Sequence, residues 1–237
     1  MIVAHGERGG RGDDRIVHEL TGRLPTSQIY SSVQCCFISK EPSLKRVLEG
    51  TAAGPVTIYP LFMSDGYFVS SAIPRAIAAA GQSNRKVTVL APLGLDSGLP
   101  GLVAELAQTA ASGAARCGRD CSLLLAAHGS RHDDASRRAT ERVAADISEM
   151  KLFADVTTGF LEEEPFLEDR IATVAGPVIA VGLFAGQGMH GKDDLSRAIA
   201  KSGRMDVTLA APLAQWPDLG KLICRKLTRP DCQSQPA

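Results

Sequence analysis

Two histidines and a glutamate stand close behind three successive apolar runs in the second part of this chain. His128 directly follows residues 123–127, Glu164 comes a few residues after 156–160, and His190 lies in the loop after 178–183. Two imidazoles and a carboxylate suit a borderline divalent ion such as Co²⁺, Fe²⁺, Ni²⁺ or Zn²⁺. The same groups suit proton removal, because imidazole titrates near neutral pH. The three residues can share a site only if the runs are parallel strands, since open α/β sheets bind ligands beyond the carboxyl ends of their strands.

Other arrangements fit less well. His128 and His132 have the spacing of a metalloprotease helix, but Gly129 stands where the H-E-x-x-H pattern needs its glutamate. Residues 186–191 fit G-x-G-x-x-G, and with Lys192 they nearly make a phosphate loop. Asp193 then replaces the Ser or Thr that holds Mg²⁺. A dinucleotide fingerprint belongs after a first strand, whereas this one follows a third. No nucleotide cofactor is therefore expected, and the glycines are expected to let backbone approach a flat ligand closely. Ser130, next to His128, lacks the G-x-S-x-G elbow of an acyl-transfer nucleophile.

The elements that must position these residues occur twice. Met1-Ile2-Val3-Ala4-His5-Gly6-Glu7-Arg8 recurs as Leu124-Leu125-Ala126-Ala127-His128-Gly129-Ser130-Arg131, and at the same offset of 123 residues Glu41-Pro42 meets Glu164-Pro165. Further on, Arg75-Ala76-Ile77-Ala78 matches Arg197-Ala198-Ile199-Ala200, and Ala91-Pro92-Leu93 matches Ala211-Pro212-Leu213. Ordered matches across a half-chain indicate two homologous domains. Their expected spans are residues 1–115 and 120–228. Phe68 aligns with His190, so the first copy keeps His5 and Glu41 but lacks the second histidine.

In the second copy, strands are expected at 123–127, 156–160, 178–183 and 207–211. Helices are expected at 133–150, 164–174, 193–201 and 217–227, and the first copy repeats the order. Such alternation implies an α/β fold with a four-stranded parallel sheet in each half, covered by helices on both faces. Residues 111–119 are the expected linker and 229–237 a frayed tail.

The 237 residues carry 26 basic and 26 acidic side chains, with 44% hydrophobic residues. That balance argues against a general nucleic-acid or membrane-surface binder. No apolar run approaches the roughly 20 residues needed to cross a bilayer. Nothing resembles a secretory leader, so a cytoplasmic protein is expected. Met1 already lies inside the first strand, which leaves room for a start slightly upstream. The six cysteines form no C-x-x-C pair, and in a reducing compartment free thiols are expected.

Taken in order, the strand ending in His-Gly-Ser-Arg, then Phe-Leu-Glu-Glu-Glu-Pro, then Gly-Leu-Phe before Gly-Met-His-Gly-Lys-Asp-Asp-Leu, resembles the class II chelatases. The resemblance is to the sirohydrochlorin cobaltochelatase and ferrochelatase group of the CbiX type, in its long, internally duplicated form. It implies insertion of Co²⁺ or Fe²⁺ (with Ni²⁺ not separable) into a sirohydrochlorin-type tetrapyrrole without ATP, in cobalamin or sirohaem biosynthesis. The site would lie in a cleft between two chelatase-like domains. Carried over by position, His128 and His190 would be catalytic, and both would bind metal with Glu164. Ser130, Arg131, Lys192 and Arg8 would meet the substrate's carboxylates, with Arg75 a further candidate. His5, Glu41 and Phe68 would be the altered counterparts in a first half that covers the cleft. The partners implied are the tetrapyrrole alone, in a monomer or homodimer. The alternative is a protein on this fold that binds a metal or tetrapyrrole without catalysing insertion.

Overall fold

The structure, a computed structural model, describes residues 1–6, 15–24, 30–81, 85–184, 190–228 and 235–236. In chain order the first half gives β1 (Ile2–Ala4), α1 (Arg15–Arg23), β2 (Cys35–Phe37), α2 (Leu44–Gly50), β3 (Val56–Pro60), α3 (Ile73–Ala79), β4 (Val87–Val89) and α4 (Leu99–Gly113). The second gives β5 (Ser122–Ala127), α5 (Ala135–Glu149), β6 (Asp155–Phe160), α6 (Leu167–Thr173), β7 (Val178–Gly182), α7 (His190–Ser202), β8 (Val207–Leu209) and α8 (Pro217–Thr228), followed by a two-residue β9 (Gln235–Pro236).

The strands form two separate sheets. One has the order β2-β1-β3-β4 and the other β6-β5-β7-β8, with every pairing among these strands parallel. β5 is buried along its whole length, as a central strand of a parallel sheet covered on both faces must be. α5 turns inward Ala135, Ala139, Val143 and Ile147, one residue per helical turn.

The two cores match position by position. Val3, Leu44, Leu48, Val56, Ile58 and Ile73 cluster in the first. Their counterparts Ala126, Leu167, Ile171, Val178, Ala180 and Leu195 cluster in the second. An arginine ties a helix end to the sheet in each. Arg85 donates to the carbonyls of Leu48, Thr51 and Ala52 at the end of α2. Arg204 donates to those of Ile171, Val174 and Gly176 around the end of α6, and pairs through two nitrogens with Asp206. Apart from that of Leu48, which also accepts the Thr51 N–H at 3.4 Å, these carbonyls lie at or past the helix end, where intrahelical donors run out, and a guanidinium supplies several donors in one plane.

The chain divides by packing differently from how it divides by repeat. One compact unit holds Met1–Asp96 with Pro217–Ala237, and the other holds Ser97–Phe184 with Gly188–Trp216. The two cuts, after Asp96 and after Trp216, fall at equivalent positions of the repeat. Each half therefore sends its closing helix to the unit built on the other half: α4 packs on α5, β7 and β8, while α8 packs on α1.

Three local expectations are revised. Residues 229–237 are not wholly a frayed tail, because Gln235–Pro236 pairs antiparallel with β4, an edge with open backbone groups. α6 begins at Leu167 rather than 164, since Phe166 is extended and the Phe160 N–H bonds to the Pro165 carbonyl. α7 begins at His190 rather than 193.

Candidate functional site

β5 ends at Ala127, and the next two residues turn the chain. Gly129 has φ +74, and a side chain there would put Cβ 3.0 Å from Phe160 Cβ and 2.9 Å from Glu163 Cγ. Only glycine fits that conformation and space. The carbonyl of His128 then accepts the N–H groups of Leu161 (3.1 Å) and Glu162 (3.0 Å). This fastens the loop after β6, which carries Glu164, to the strand end that carries His128. The first half repeats the device: Gly6 has φ +73, and the His5 carbonyl accepts from Ile38 (3.2 Å) and Ser39 (2.9 Å). The peptide bonds Glu41–Pro42 and Glu164–Pro165 are both cis.

Of the three carboxylates in that loop, Glu163 turns in. It is 12% exposed, pairs with Arg137 at 3.5 Å, and accepts the Ser130 N–H at 3.0 Å. Its counterpart is Lys40, so the repeat concealed it; the acidic run was the only signal. Ser130 Oγ accepts the N–H groups of His132 (3.2 Å) and Asp133 (3.3 Å), and Asp133 Oδ1 accepts that of Ala135 at 3.0 Å. Ser130 thus shapes the turn into α5. His132 is exposed.

The His128 ring is exposed and has no hydrogen bond or ion pair among the described residues. It lies on a pocket of about 300 Å³ together with Arg131, Leu161 and Glu162. Glu168 from α6 and Asp194, Arg197, Ala198 and Lys201 from α7 complete the lining. Four of the charges are already paired, Arg197 with Asp194 at 2.7 Å and Lys201 with Glu168 at 2.7 Å. The i, i+3 and i+7 spacing of Asp194, Arg197 and Lys201 on α7 was the sequence signal for this wall.

Glu164 is exposed and does not line that pocket; Glu162 does. Arg8 and the side chains of His190 and Lys192 lie outside the described residues, while the His190 backbone opens α7, the next element after β5's neighbour β7. Among the described residues no group of three or more His, Cys, Asp or Glu side chains could hold a metal ion, and the expected trio includes the His190 side chain. Cys35, Cys36, Cys117, Cys121 and Cys224 are free thiols, and Cys232 lies outside the described residues. Burial pushes the Cys36 thiol up to about 12, which leaves it unreactive.

The first half has filled its site differently. His5 Nε2 lies 3.2 Å from Ser39 Oγ, and its ring meets Phe68 edge-on at 4.6 Å. Phe68 stacks on Phe62 at 5.6 Å and touches Tyr67 at 5.5 Å. Glu41 accepts both the N–H (2.9 Å) and the hydroxyl (3.1 Å) of Ser43. The Ser43 N–H holds its carboxyl below the usual carboxylate range. Phe166 occupies the position equivalent to Ser43 and has no hydroxyl to donate, and Glu164 makes no hydrogen bond among the described residues.

Known proteins share this architecture. A solved structure of CbiX, the terminal enzyme for sirohaem biosynthesis in denitrifying bacteria, aligns with a TM-score of 0.80 and 32% identity over 96% of each chain. SirB from Bacillus subtilis, solved with Fe³⁺, aligns with a TM-score of 0.78 over 100% of this chain and 98% of its own at 16% identity, a likeness of fold. A probable sirohydrochlorin cobaltochelatase of Halobacterium salinarum is 25% identical over 217 residues, covering 82% of this chain and 74% of that protein. The CbiX family model matches residues 1–110 and again 122–229, and the chain therefore belongs to the CbiX family.

Proposed function

We propose that this protein is a metal chelatase that inserts Co²⁺ or Fe²⁺ into a sirohydrochlorin-type tetrapyrrole without ATP, with His128 and His190 as its catalytic pair. The observation that carries the reading is the His128 ring, exposed at the end of a fully buried strand and on the rim of a mixed-charge pocket. The names of its relatives point the same way: a probable sirohydrochlorin cobaltochelatase and the terminal enzyme of sirohaem biosynthesis. The family membership, over both halves, sets the reaction class.

The metal is a substrate here, and it must be held loosely enough to leave. A neutral imidazole does that and can also take up a pyrrole proton as the nitrogen binds the ion. His128 has no competing hydrogen bond among the described residues, so both functions are open to it. The His128 carbonyl and the Gly129 turn fix where the ring starts, while Glu163, held by the Ser130 N–H and Arg137, keeps that turn from shifting. Glu164 assists the ion from the same loop. Arg131 faces the pocket and meets peripheral carboxylates of the macrocycle, and Lys192 and Arg8 are further candidates for that contact. Tetrapyrrole binding through these cations needs no nucleotide.

Incubating the protein with sirohydrochlorin and Co²⁺, then with Fe²⁺ and Ni²⁺, tests the proposal by the absorbance change on metallation. Acceleration over the protein-free rate, abolished in His128→Ala, is the expected result. Tight binding of sirohydrochlorin with no acceleration would instead make the protein a tetrapyrrole carrier.

A further inference from the structure

We infer that the first half carries a binding shelf for the tetrapyrrole, built from Phe62, Tyr67, Phe68 and Arg75, on the site where the second histidine is missing. The inference rests on the chelatase reading above and concerns how the macrocycle is held. At about 300 Å³ the pocket beside His128 lies at the low end of ligand-pocket sizes. It suits a hydrated ion or a carboxylate arm better than a flat macrocycle with many arms.

A flat π-system and an anionic rim call for aromatic faces next to unpaired cations. The shelf supplies both. Phe62 and Phe68 are stacked with their planes 18° apart, and Tyr67 meets Phe68 at 72°. Tyr67 is 55% exposed, more than any other large hydrophobic side chain of the described structure except Met205. Phe68, which it meets, and Phe62, stacked on Phe68, are both half-buried. The Arg75 guanidinium lies 5.9 Å from the centre of the Tyr67 ring and donates to its hydroxyl at 3.4 Å.

The repeat shows that this cation has been released. Arg197, the counterpart of Arg75, is neutralised by Asp194 at 2.7 Å. The position equivalent to Asp194 is Ala72, and among the described residues no carboxylate pairs with Arg75. An exposed ring beside an exposed, uncompensated guanidinium matches the chemistry of a carboxylate-fringed macrocycle. The backbone has changed at the same place. Phe68–Ala72 forms a π-helical turn, a rare geometry that often marks functional positions. It leads directly into α3, which carries Arg75. His5 no longer faces an open site, since its ring is held against Phe68 and its Nε2 by Ser39. Replacing the histidine by phenylalanine thus exchanges a metal ligand for a macrocycle contact.

The test measures binding apart from insertion. Metal-free sirohydrochlorin is titrated into the full-length wild type and into Tyr67→Ala, Phe68→Ala, Arg75→Met and His128→Ala, following the absorbance of the macrocycle. Tyr67 is exposed, so Tyr67→Ala folds even if Phe68→Ala does not. Tyr67→Ala and Arg75→Met should each raise Kd about tenfold, the usual scale for one stacking or one charge-assisted contact, and Tyr67→Phe should restore most of the binding. In the insertion assay the loss should appear in KM with kcat little changed. His128→Ala should show the opposite: wild-type binding with insertion lost. Kd values of Tyr67→Ala and Arg75→Met within twofold of a wild type that binds and metallates sirohydrochlorin would overturn the shelf alone. A wild type that neither binds nor metallates it would overturn the chelatase reading and the shelf with it.

Discussion

Gly129→Ala should be the most informative single change near the site, because its cost can be separated into two physical parts. The first is backbone: φ is +74, and a non-glycine residue in that region costs about 1–2 kcal/mol. The second is contact. The added Cβ would lie 3.0 Å from the Cβ of Phe160, which is fully buried, and 2.9 Å from Glu163 Cγ. Phe160 is fixed in β6, so Glu163 must give way and weaken its acceptance of the Ser130 N–H (3.0 Å). Overpacking of this kind costs about 1–3 kcal/mol, and a hydrogen bond to a charged group is worth about 1.5–3. Backbone and overpacking together come to about 2–5 kcal/mol, and the weakened hydrogen bond adds part of its own worth. Gly203→Ala is the control, with φ +69 and nothing within 4 Å of the added Cβ, so only the backbone part applies. Urea unfolding of both variants reads the difference, and sirohydrochlorin metallation with Co²⁺ reads the site. Gly129→Ala should slow metallation about ten- to a hundredfold, because the turn that aims His128 moves, while Gly203→Ala should leave it unchanged. Equal destabilisation by the two alanines, or normal metallation by a folded Gly129→Ala, would refute this account of the turn.

Three further outcomes follow from the same structure. His128→Ala and His190→Ala should each lower metallation at least ~100-fold, whereas His5→Ala, whose ring already meets Phe68 at 4.6 Å, should cost far less; equal losses would show that the first half reacts too. The Arg204 hydrogen bonds hold the Asp206 carboxyl below its usual range, so its contribution is present above the unfolded value near ~3.9 and is lost as pH falls through the lower folded value. Asp206→Asn should therefore lower stability at neutral pH, by under ~1 kcal/mol for a carboxylate that is 41% exposed, and should converge with wild type in strong acid when melting is followed against pH. Tyr59→Phe should raise Tm by about 2–4 °C, because the Tyr59 hydroxyl is buried with no hydrogen-bond partner among the described residues; a lower Tm would reveal a partner.

Much of this was legible from residue order because strands and helices bury apolar residues with different periods. The runs at 123–127, 156–160 and 178–183 were found as β5, β6 and β7, and with them the strand end that bears His128. What periodicity cannot say is which sheet a helix will cover. α4 and α8 have apolar faces that would suit either half, so the exchange at Asp96 and Trp216 was invisible and the repeat boundary was expected near 115–120. Nor could spacing show which of Glu162, Glu163 and Glu164 turns inward. That choice depends on the room beside Gly129 and on Arg137, a residue one turn into a helix whose register was not known. The loss of histidine at Phe68 was plain from the repeat. Its consequence needed three rings and a guanidinium in space.

The exchange of closing helices explains why a half with an altered site is not simply lost. The sheet that carries His128 is covered by α4, whose Leu99, Leu102, Val103, Leu106, Ala107 and Ala111 are all buried and all precede the second repeat. Removing that helix would expose the face of β7 and β8 on which it packs, and buried apolar area of this kind is the main source of a small unit's stability. In return, Leu219, Leu222, Ile223 and Leu227 of α8 are buried in the unit built around the first sheet. Neither half can change its core without affecting the other. Strand-end positions are under no such constraint. Phe68 lies outside the buried core and in a turn, so a ligand there can be exchanged for a ring at little cost to the fold. Duplication on this plan holds the scaffold in common and leaves the two strand-end sites free to diverge, as His5 packed against Phe68 and the exposed His128 have done.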